Sequence, residues 1–389
     1  MQHDLILHAL FLIFSGAALI ATLALYTRQS MLVSYILLGA LLGPSGLAVF
    51  TRPELIADIS QVGVIFLLFL LGLNLHPQLL LRLLREALLV TVGSSLIFAL
   101  LGYAVGWLFG LSVLESLLIA ATAMFSSTII GLKLLPTTQL HHQHTGEVII
   151  SILLLQDLIA ILILLLLQAL GGEGGLAREL GWVTLMLPLS MVLALAGARY
   201  ILVPLFERYD TIHEYIFLLA LGWCLGFAEL AVVMGLSAEI GAFLAGVALA
   251  TSPISTYIAE SLKPLRDFFL IMFFFALGAG FDLGMLGEII LPALLLAGAM
   301  VLVKPLVFRL LLLRAGESAA FSLEIGVRLG QISEFSLLIA MLAWHSGIIS
   351  ERVSGLIQLA TLLSFILSSY WIMLRYPTPI AVSRRLRRD

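Results

Sequence analysis

The stretch from Ile149 to Leu167 reads IISILLLQDLIAILILLLL, an apolar run that is interrupted near its middle by Gln156 and Asp157. A helix needs about 20 predominantly apolar residues to cross a bilayer. A charged side chain at the bilayer centre costs about 2.5 to 3.5 kcal/mol on insertion scales, so a carboxylate there is a candidate for function. The stretch therefore predicts a membrane-spanning helix with Asp157 as its working residue.

The composition extends this prediction to most of the chain. Of the 389 residues, 61% are hydrophobic and 11% are charged, whereas a soluble domain carries about 25% charged residues. The net charge of −3 and the lack of a basic face argue against nucleic acid as a partner. Cys224 is the single cysteine, which excludes an intramolecular disulfide and a cysteine-rich metal site. We therefore expect an all-α membrane protein.

Thirteen apolar stretches are candidate membrane crossings. They cover approximately residues 5–25, 31–49, 55–75, 87–109, 112–134, 146–170, 181–205, 212–233, 236–251, 265–282, 286–312, 317–345 and 351–374. The loops between them are short, so no soluble domain fits between two spans. The sequence predicts about 13 transmembrane helices in one domain at residues 1–375, followed by a basic cytoplasmic tail at residues 376–389.

The basic residues orient these spans, because cytoplasmic loops are enriched in Lys and Arg. If the N-terminus lies outside, fifteen of the twenty basic residues fall inside, three fall outside and two lie within spans. The inside set is Arg28, Arg82, Arg85, Lys133, Arg199, Arg208, Lys263, Arg266, Arg309, Arg314, Arg375, Arg384, Arg385, Arg387 and Arg388, and the outside set is Arg52, Arg178 and Arg352. An odd number of spans and a cytoplasmic C-terminus are therefore predicted.

The chemistry of a membrane carboxylate makes Asp157 a candidate for ion exchange. A low-dielectric environment favours its neutral form, which it reaches by taking up a proton. A bound cation neutralises the carboxylate equally well, and the two options exclude each other. That exclusion is the chemistry of cation/proton exchange. The alternative interpretation is a structural Asp that is paired with a buried Lys or Arg.

Other polar groups interrupt the apolar spans. Lys304 lies in the eleventh span as a partner for Asp157 or for a helix end, and a structural pairing and participation in proton exchange both stay open. Ser126, Ser127 and Thr128 interrupt the fifth span, and Gln331, Ser333 and Glu334 interrupt the twelfth. Broken helices in corresponding positions of two halves indicate a midplane ion site. Glu334 and Arg328 would neutralise exposed helix ends or each other, which stabilises the break.

The spacing of the spans predicts two related halves in opposite orientations. Residues 5–170 form the first repeat and residues 212–374 the second, with a linker helix at residues 181–205. The fifth and twelfth spans then correspond, and both carry the polar interruptions. The third and tenth also correspond, and they end alike in residues 69–75 (FLLGLNL) and 275–282 (FALGAGFD). Inverted repeats of this kind are typical of secondary transporters.

Six motifs, in order along nearly the whole chain, resemble the cation/proton antiporter-2 family and its Kef-type potassium efflux branch. They are residues 39–47 (GALLGPSGL), 69–78 (FLLGLNLHPQ), 126–128 (SST), 154–157 (LLQD), 235–250 (GLSAEIGAFLAGVALA) and 331–335 (QISEF). Asn74 stands where the family usually has an acidic residue, and Glu239 is unusual in its motif. Ile332 and Ser333 replace two glycines of the family pattern.

The resemblance implies a sodium/proton antiporter-like fold with a core domain and a dimerisation domain. The fifth and twelfth spans would cross at unwound centres, beside Gln156 and Asp157 as ion- and proton-binding residues. It implies a transporter rather than an enzyme, without a cofactor beyond the transported K⁺ or Na⁺ and H⁺. It also implies a homodimer among lipids in the inner membrane. The Gln-Asp pair resembles the potassium-exchanging, electroneutral branch.

One departure concerns regulation, because Kef-type proteins usually continue into a cytoplasmic nucleotide- and glutathione-responsive domain. The sequence ends at residues 384–389 (RRLRRD), so a regulatory domain is either separate or truncated, or the protein lacks that control. Two other functions stay open at this point. A channel-like potassium efflux pore would not need a proton-accepting carboxylate, and a substrate symporter would need exposed helix N-termini or cations such as Lys304 at its site.

Overall fold

The computed structural model describes residues 2–27, 29–50, 54–75, 77–135, 144–171, 176–209, 212–252 and 254–378, and in these ranges the chain is built of helices. The predicted basic tail lies outside the described residues from position 379 onward. The helices in chain order are α1 (Gln2–Tyr26), α2 (Met31–Leu42), α3 (Glu54–Asn74), α4 (Pro77–Leu108), α5 (Val113–Ala123), α6 (Thr128–Lys133), α7 (His144–Gly171), α8 (Leu176–Gly197), a π-helical turn (Ala198–Leu202), α9 (Val203–Arg208), α10 (His213–Val233), α11 (Ala238–Ala250), α12 (Ser255–Ser261), α13 (Lys263–Ala279), a 3₁₀ turn (Leu283–Met285), α14 (Leu286–Arg314), α15 (Ala319–Arg328), α16 (Glu334–His345) and α17 (Glu351–Arg375).

Helix lies on each of the thirteen predicted stretches. Within the described residues, eight helical segments are long and apolar enough to cross a membrane by length and composition, and four further apolar helices are shorter. The remaining stretch is α13, whose first turns carry Lys263, Arg266 and Asp267. The short helix Glu334–His345 has a physical cause, since the twelfth predicted span is divided by an unwound segment. The fifth predicted span is divided as well, between α5 and α6, although its segment Val113–Gly131 is one of the eight. Both predicted helix breaks are thus present.

The chain divides into two compact units. The first unit comprises residues 1–38, 82–163 and 281–389 and contains both interrupted helices. Within it, α14 packs against α15 and α17, and α16 packs against α17 and α5. A Cβ atom on Gly326 of α15 would lie 2.7 Å from the backbone of Pro305, so only glycine lets α15 approach α14 this closely.

The second unit comprises residues 39–81 and 164–280. Its central contact joins α3 to α11, and α13 also packs against α3. Gly72 and Gly246 face each other across the α3–α11 contact, where a Cβ atom would lie 2.4 Å from Phe243 O and 2.1 Å from Phe69 O, respectively. Small residues at such positions let membrane helices pack backbone to backbone.

Candidate functional site

The first helix break separates α5 from α6, and the side chain of Gln156 on α7 fills it. The Gln156 Nε2 atom donates to Met124 O at 3.2 Å, and its Oε1 atom accepts from Ser126 N at 2.9 Å. An unwound segment leaves backbone N–H and C=O groups without helical partners, and these must be paired when they are buried. A neutral amide supplies one donor and one acceptor at once, and Gln156 is fully buried.

The second break separates α15 from α16, and here the amide comes from within the break. Gln331 Nε2 donates to Arg328 O at 3.0 Å and to Ser127 O at 3.3 Å. The Oε1 atom of Gln331 accepts from the Ser368 hydroxyl of α17 at 2.9 Å. The neighbouring Ser364 hydroxyl accepts from Ile332 N at 3.0 Å. The second break is therefore held by its own glutamine and by one face of α17.

The two breaks contact each other directly. The Ser126 hydroxyl of the first donates to Leu329 O of the second at 2.8 Å. Beyond the breaks, the Ser336 hydroxyl of α16 donates to Thr122 O of α5 at 2.6 Å. Ser333 begins α16, and its hydroxyl accepts from Phe335 N at 3.1 Å. The predicted crossing of the two broken helices at their unwound centres is therefore observed.

Lys304 of α14 joins both breaks. Its Nζ atom donates to Phe125 O at 2.6 Å and to Gln331 O at 3.0 Å, and it lies 3.5 Å from Ser126 Oγ. The ammonium also lies 5.0 Å from the centroid of the Phe98 ring. Because these carbonyls lie in the unwound segments that follow the C-terminal ends of α5 and α15, the positive charge is placed near the negative ends of two helix dipoles. Of the two predicted partners for Lys304, the structure shows the helix end.

The Asp157 carboxyl group lies beside the breaks on α7, one residue after Gln156. Its side chain is 2% exposed. Within the described part of the chain, no hydrogen bond or salt bridge reaches this carboxyl group, and Lys304 and Arg328 are engaged elsewhere. The structure therefore gives no support to the alternative in which Asp157 is a structural partner of a buried Lys or Arg.

Glu334, in the first turn of α16, lies close enough to Asp157 for their charges to interact. Its Oε1 atom accepts from Ile129 N at 3.2 Å, in the first turn of α6. Its Oε2 atom is buried and has no hydrogen-bond partner among the described residues, and the same holds for Thr128 Oγ1. The Ser127 hydroxyl lies beside the Glu334 carboxyl group and accepts from Ile130 N at 3.1 Å.

Arg328 lies at the end of α15 and is fully buried. Its guanidinium group donates twice to Glu324, at 3.0 and 2.8 Å, and also to Leu134 O and Pro377 O at 3.1 and 3.0 Å. Leu134 follows the last residue of α6, so Arg328 pairs a helix end, as one predicted alternative states. Its carboxylate partner is Glu324, so the other alternative, pairing with Glu334, is not what the structure shows.

Sequence reasoning missed Ser364 and Ser368, which hold the second break from α17. They lie four residues apart and therefore on one face of an otherwise largely apolar helix. Thr361 adds a third small hydroxyl residue at helical spacing. This periodic polar face was a usable signal, although Ser and Thr in membrane helices often bond only to their own backbone.

The site offers oxygen atoms and carboxyl groups in a buried place. Within the described residues, Glu334 Oε2 and Thr128 Oγ1 are buried without a hydrogen-bond partner, and the Asp157 carboxyl group, on a residue 2% exposed, makes neither a hydrogen bond nor a salt bridge. Carboxylate, hydroxyl and carbonyl oxygens are the ligands of hard cations. The same carboxyl groups accept protons. The arrangement is suited to binding either a cation or a proton, with the surrounding amides and Lys304 holding the backbone in place.

Comparison with known proteins gives the following similarities. The family model described as "Sodium/hydrogen exchanger, transmembrane" matches residues 12–374. The chain is 29% identical to the iron transporter MagA of Paramagnetospirillum magneticum, over 89% of this chain and 80% of that protein. It is 30% identical to the glutathione-regulated potassium-efflux system protein KefC of Klebsiella pneumoniae, over 93% of this chain but only 59% of KefC.

Among solved structures, the fold is similar to that of the sodium proton antiporter MjNhaP1 of Methanocaldococcus jannaschii. The TM-score is 0.74, and the match covers 96% of this chain and 97% of that chain at 19% sequence identity. At this identity the likeness concerns the fold alone. The predicted antiporter-like helical membrane fold is confirmed.

Proposed function

The chain belongs to the family of transmembrane sodium/hydrogen exchangers, and from that premise we propose that it exchanges one monovalent cation for protons, with Asp157 binding either ion in turn. Family membership makes it a multi-pass membrane transporter and confirms the resemblance found from the six motifs. The role of Asp157, the choice of cation and the mechanism are proposals.

The observation that carries the proposal is the state of the Asp157 carboxyl group. It is buried at the crossing of two broken helices, and among the described residues it has neither a salt bridge nor a hydrogen bond. A buried carboxyl group without a partner is neutralised by a proton or by a cation. Because one group serves both ions, release of one is required for binding of the other, and that requirement couples the two fluxes.

The other site residues support this exchange in different ways. We assign Gln156, Gln331 and Ser126 to holding the unwound backbone, and Lys304 to neutralising the two carbonyl ends. Ser127 and Thr128 begin the second half of the first broken helix, next to the free carboxyl groups. Alternating access would expose this site to one side of the membrane and then to the other.

For the transported cation we favour K⁺, with Na⁺ as the alternative. KefC is a potassium-efflux system by its name and MjNhaP1 is a sodium proton antiporter by its title. The Gln156–Asp157 pair provides a single carboxylate and resembles the potassium-exchanging branch of the family. A single exchanging carboxylate moves one charge at a time, which fits one-for-one exchange.

We further propose an inner-membrane homodimer with its N-terminus outside and its C-terminus in the cytoplasm. The chain spans about three fifths of the length of KefC. The proposal therefore includes a regulatory domain, either on this chain or on a separate one.

The orientation can be tested by cysteine labelling. Cys224 is fully buried, so a cysteine introduced at an exposed position reports which side of the membrane that position faces. Ala315→Cys and Ser346→Cys lie in exposed loops, and an impermeant maleimide added outside should label only the latter.

The proposal is tested in proteoliposomes by cation-dependent dissipation of a pH gradient. The native chain is compared with Asp157→Asn, using K⁺, Na⁺, Rb⁺ and Li⁺. We expect the Asn variant to remain folded, because the amide has nearly the same shape, and to lose exchange with every cation. Exchange retained at the native rate would overturn the role of Asp157. Cation flux without coupled proton movement in the native protein would instead indicate a channel.

A further inference from the structure

The two carboxyl oxygens of Glu334 lie in different environments. Oε1 accepts from Ile129 N at 3.2 Å, whereas Oε2 is buried with no hydrogen-bond partner among the described residues. Buried side-chain oxygens in folded proteins are nearly always paired, so an unpaired one requires an explanation. Capping the first turn of α6 accounts for Oε1. The Ser127 hydroxyl also lies beside the carboxyl group, but it does not reach hydrogen-bond geometry with Oε2.

Two further groups near the Glu334 side chain have no hydrogen-bond partner among the described residues. Thr128 Oγ1, in the first turn of α6, is also buried without a partner in the described part of the chain. The Asp157 carboxyl group, 2% exposed, interacts with the charge of Glu334. Oxygen atoms on three helices of the crossing, α6, α7 and α16, thus have no hydrogen-bond partner among the described residues. Such a convergence is what a bound cation requires.

We propose that Glu334 is a direct ligand of the transported cation, which binds between Glu334 Oε2, Thr128 Oγ1 and the Asp157 carboxyl group. This inference rests on the proposed function, because it concerns the cation-bound state of the same site. It assigns Glu334 a role beyond stabilising the break. Asp157 remains the group that exchanges the cation for a proton.

Charge balance supports this assignment. Asp157 and Glu334 together contribute two negative charges when ionised, and Lys304, whose ammonium lies at the same crossing, contributes one positive charge. One monovalent cation brings the sum to zero, and so does one proton. A site surrounded by lipid and protein is most stable when its charges cancel. Glu334 and Lys304 thus leave room for a single positive charge at Asp157, which matches one-for-one exchange.

The competing explanation is that Glu334 only caps α6. The variant Glu334→Gln separates the two, because its side-chain carbonyl oxygen still accepts from Ile129 N while the negative charge is lost. A capping role predicts native transport for this variant. A ligand role predicts weaker cation binding with an intact fold. Glu351→Gln is the matched control, since Glu351 is also a first-turn glutamate, on α17, but is exposed.

The experiment measures initial exchange rates in proteoliposomes over a range of K⁺ and Na⁺ concentrations, together with melting temperatures of each variant. For Glu334→Gln we expect the KM for the cation to rise about tenfold or more, as loss of a charged ligand does, at an unchanged melting temperature. The added stability that K⁺ gives to the native protein, which follows from binding, should largely disappear. Glu351→Gln should behave as the native chain in both measurements.

A native KM and native stabilisation by K⁺ in Glu334→Gln would overturn the inference. If that variant fails to fold, Thr128→Val, which keeps the shape of the side chain, decides instead: a raised KM supports the site and a native KM overturns it. Asp157→Asn is measured in parallel. If it still exchanges ions, the proposed function itself fails. If it is inactive while Glu334→Gln has a native KM, only the present inference fails.

Discussion

The two helix breaks meet the same need for backbone partners with different side chains. The first, at residues 124–127, is stabilised from outside by Gln156 of the neighbouring helix α7. The second, at residues 329–333, is stabilised by its own Gln331 and by hydroxyl groups of α17 such as Ser364. The first break thus depends on the residue next to the ion-binding carboxylate, whereas the second depends on groups one helix away.

This difference assigns the breaks different roles. Movement of Asp157 on α7 must also move Gln156, and with it the hydrogen bonds of the first break. None of the residues described above as stabilising the second break is adjacent to Asp157 in the chain. We therefore expect the first break to respond to what Asp157 binds and the second to act as the fixed half of the crossing. Lys304 contacts both breaks and links their stabilities, as do the bonds from Ser126 to Leu329 O and from Gln331 to Ser127 O.

The largest effect on stability is expected for Lys304→Ala, because Lys304 is a charged partner from a third helix that bonds to both breaks. Charge-assisted hydrogen bonds contribute about 1.5–3 kcal/mol each, and two strong ones are lost, so unfolding should become easier by roughly 3 kcal/mol or more. The measurement is the melting temperature in detergent, with cation selectivity determined in proteoliposomes. An equal melting temperature with altered selectivity would contradict this structural role.

A matched pair, Gln156→Leu and Gln331→Leu, tests the difference between the breaks. Both variants leave buried backbone groups unpaired, at a cost of about 1–3 kcal/mol. At equal loss of stability, Gln156→Leu should reduce the maximal exchange rate by about tenfold more, because Gln156 directly precedes Asp157 in the chain. The exchange assay and thermal unfolding measure the two quantities. Equal rates in the two variants would remove the distinction between a responsive and a fixed break.

Much of this architecture could be predicted from the sequence, because it is encoded locally. The length of the apolar stretches predicted the helices, and the polar residues inside two of these stretches predicted both breaks. The partners of these residues could not be predicted in the same way. Lys304 Nζ bonds to Phe125 O, 179 positions away, and hydropathy contains no information on such a pairing. Asp157 and Lys304 looked like natural partners by charge alone, but a helix end competes with a carboxylate for the same ammonium.

The placement of Glu334 shows the same limit. Its position in the interrupted span indicated a role at the break, which the bond from Ile129 N to Oε1 shows. Its closeness to Asp157 depends on how α16 meets α7, and that geometry follows from packing over a long sequence separation. The role of Ser364 and Ser368 at the second break was not predicted for another reason. Single hydroxyl residues in membrane helices are common, and most of them bond to their own helix.

The smallest effect is expected for Ser364→Ala, which removes one neutral hydrogen bond from the second break. The Ser364 hydroxyl accepts from Ile332 N at 3.0 Å and donates to Thr361 O at 2.8 Å. Its loss should lower the free energy of unfolding by about 1 kcal/mol, and the KM for the cation should stay at its native value because the hydrogen bonds of the Ser364 hydroxyl involve neither Asp157 nor Glu334. Thr361→Val is the control, since its hydroxyl bonds only to Ile357 O of its own helix and should change stability less. If Ser364→Ala raised the KM as strongly as a change at Gln156, occupancy of the site would be coupled to both breaks equally, and the second could no longer be regarded as fixed.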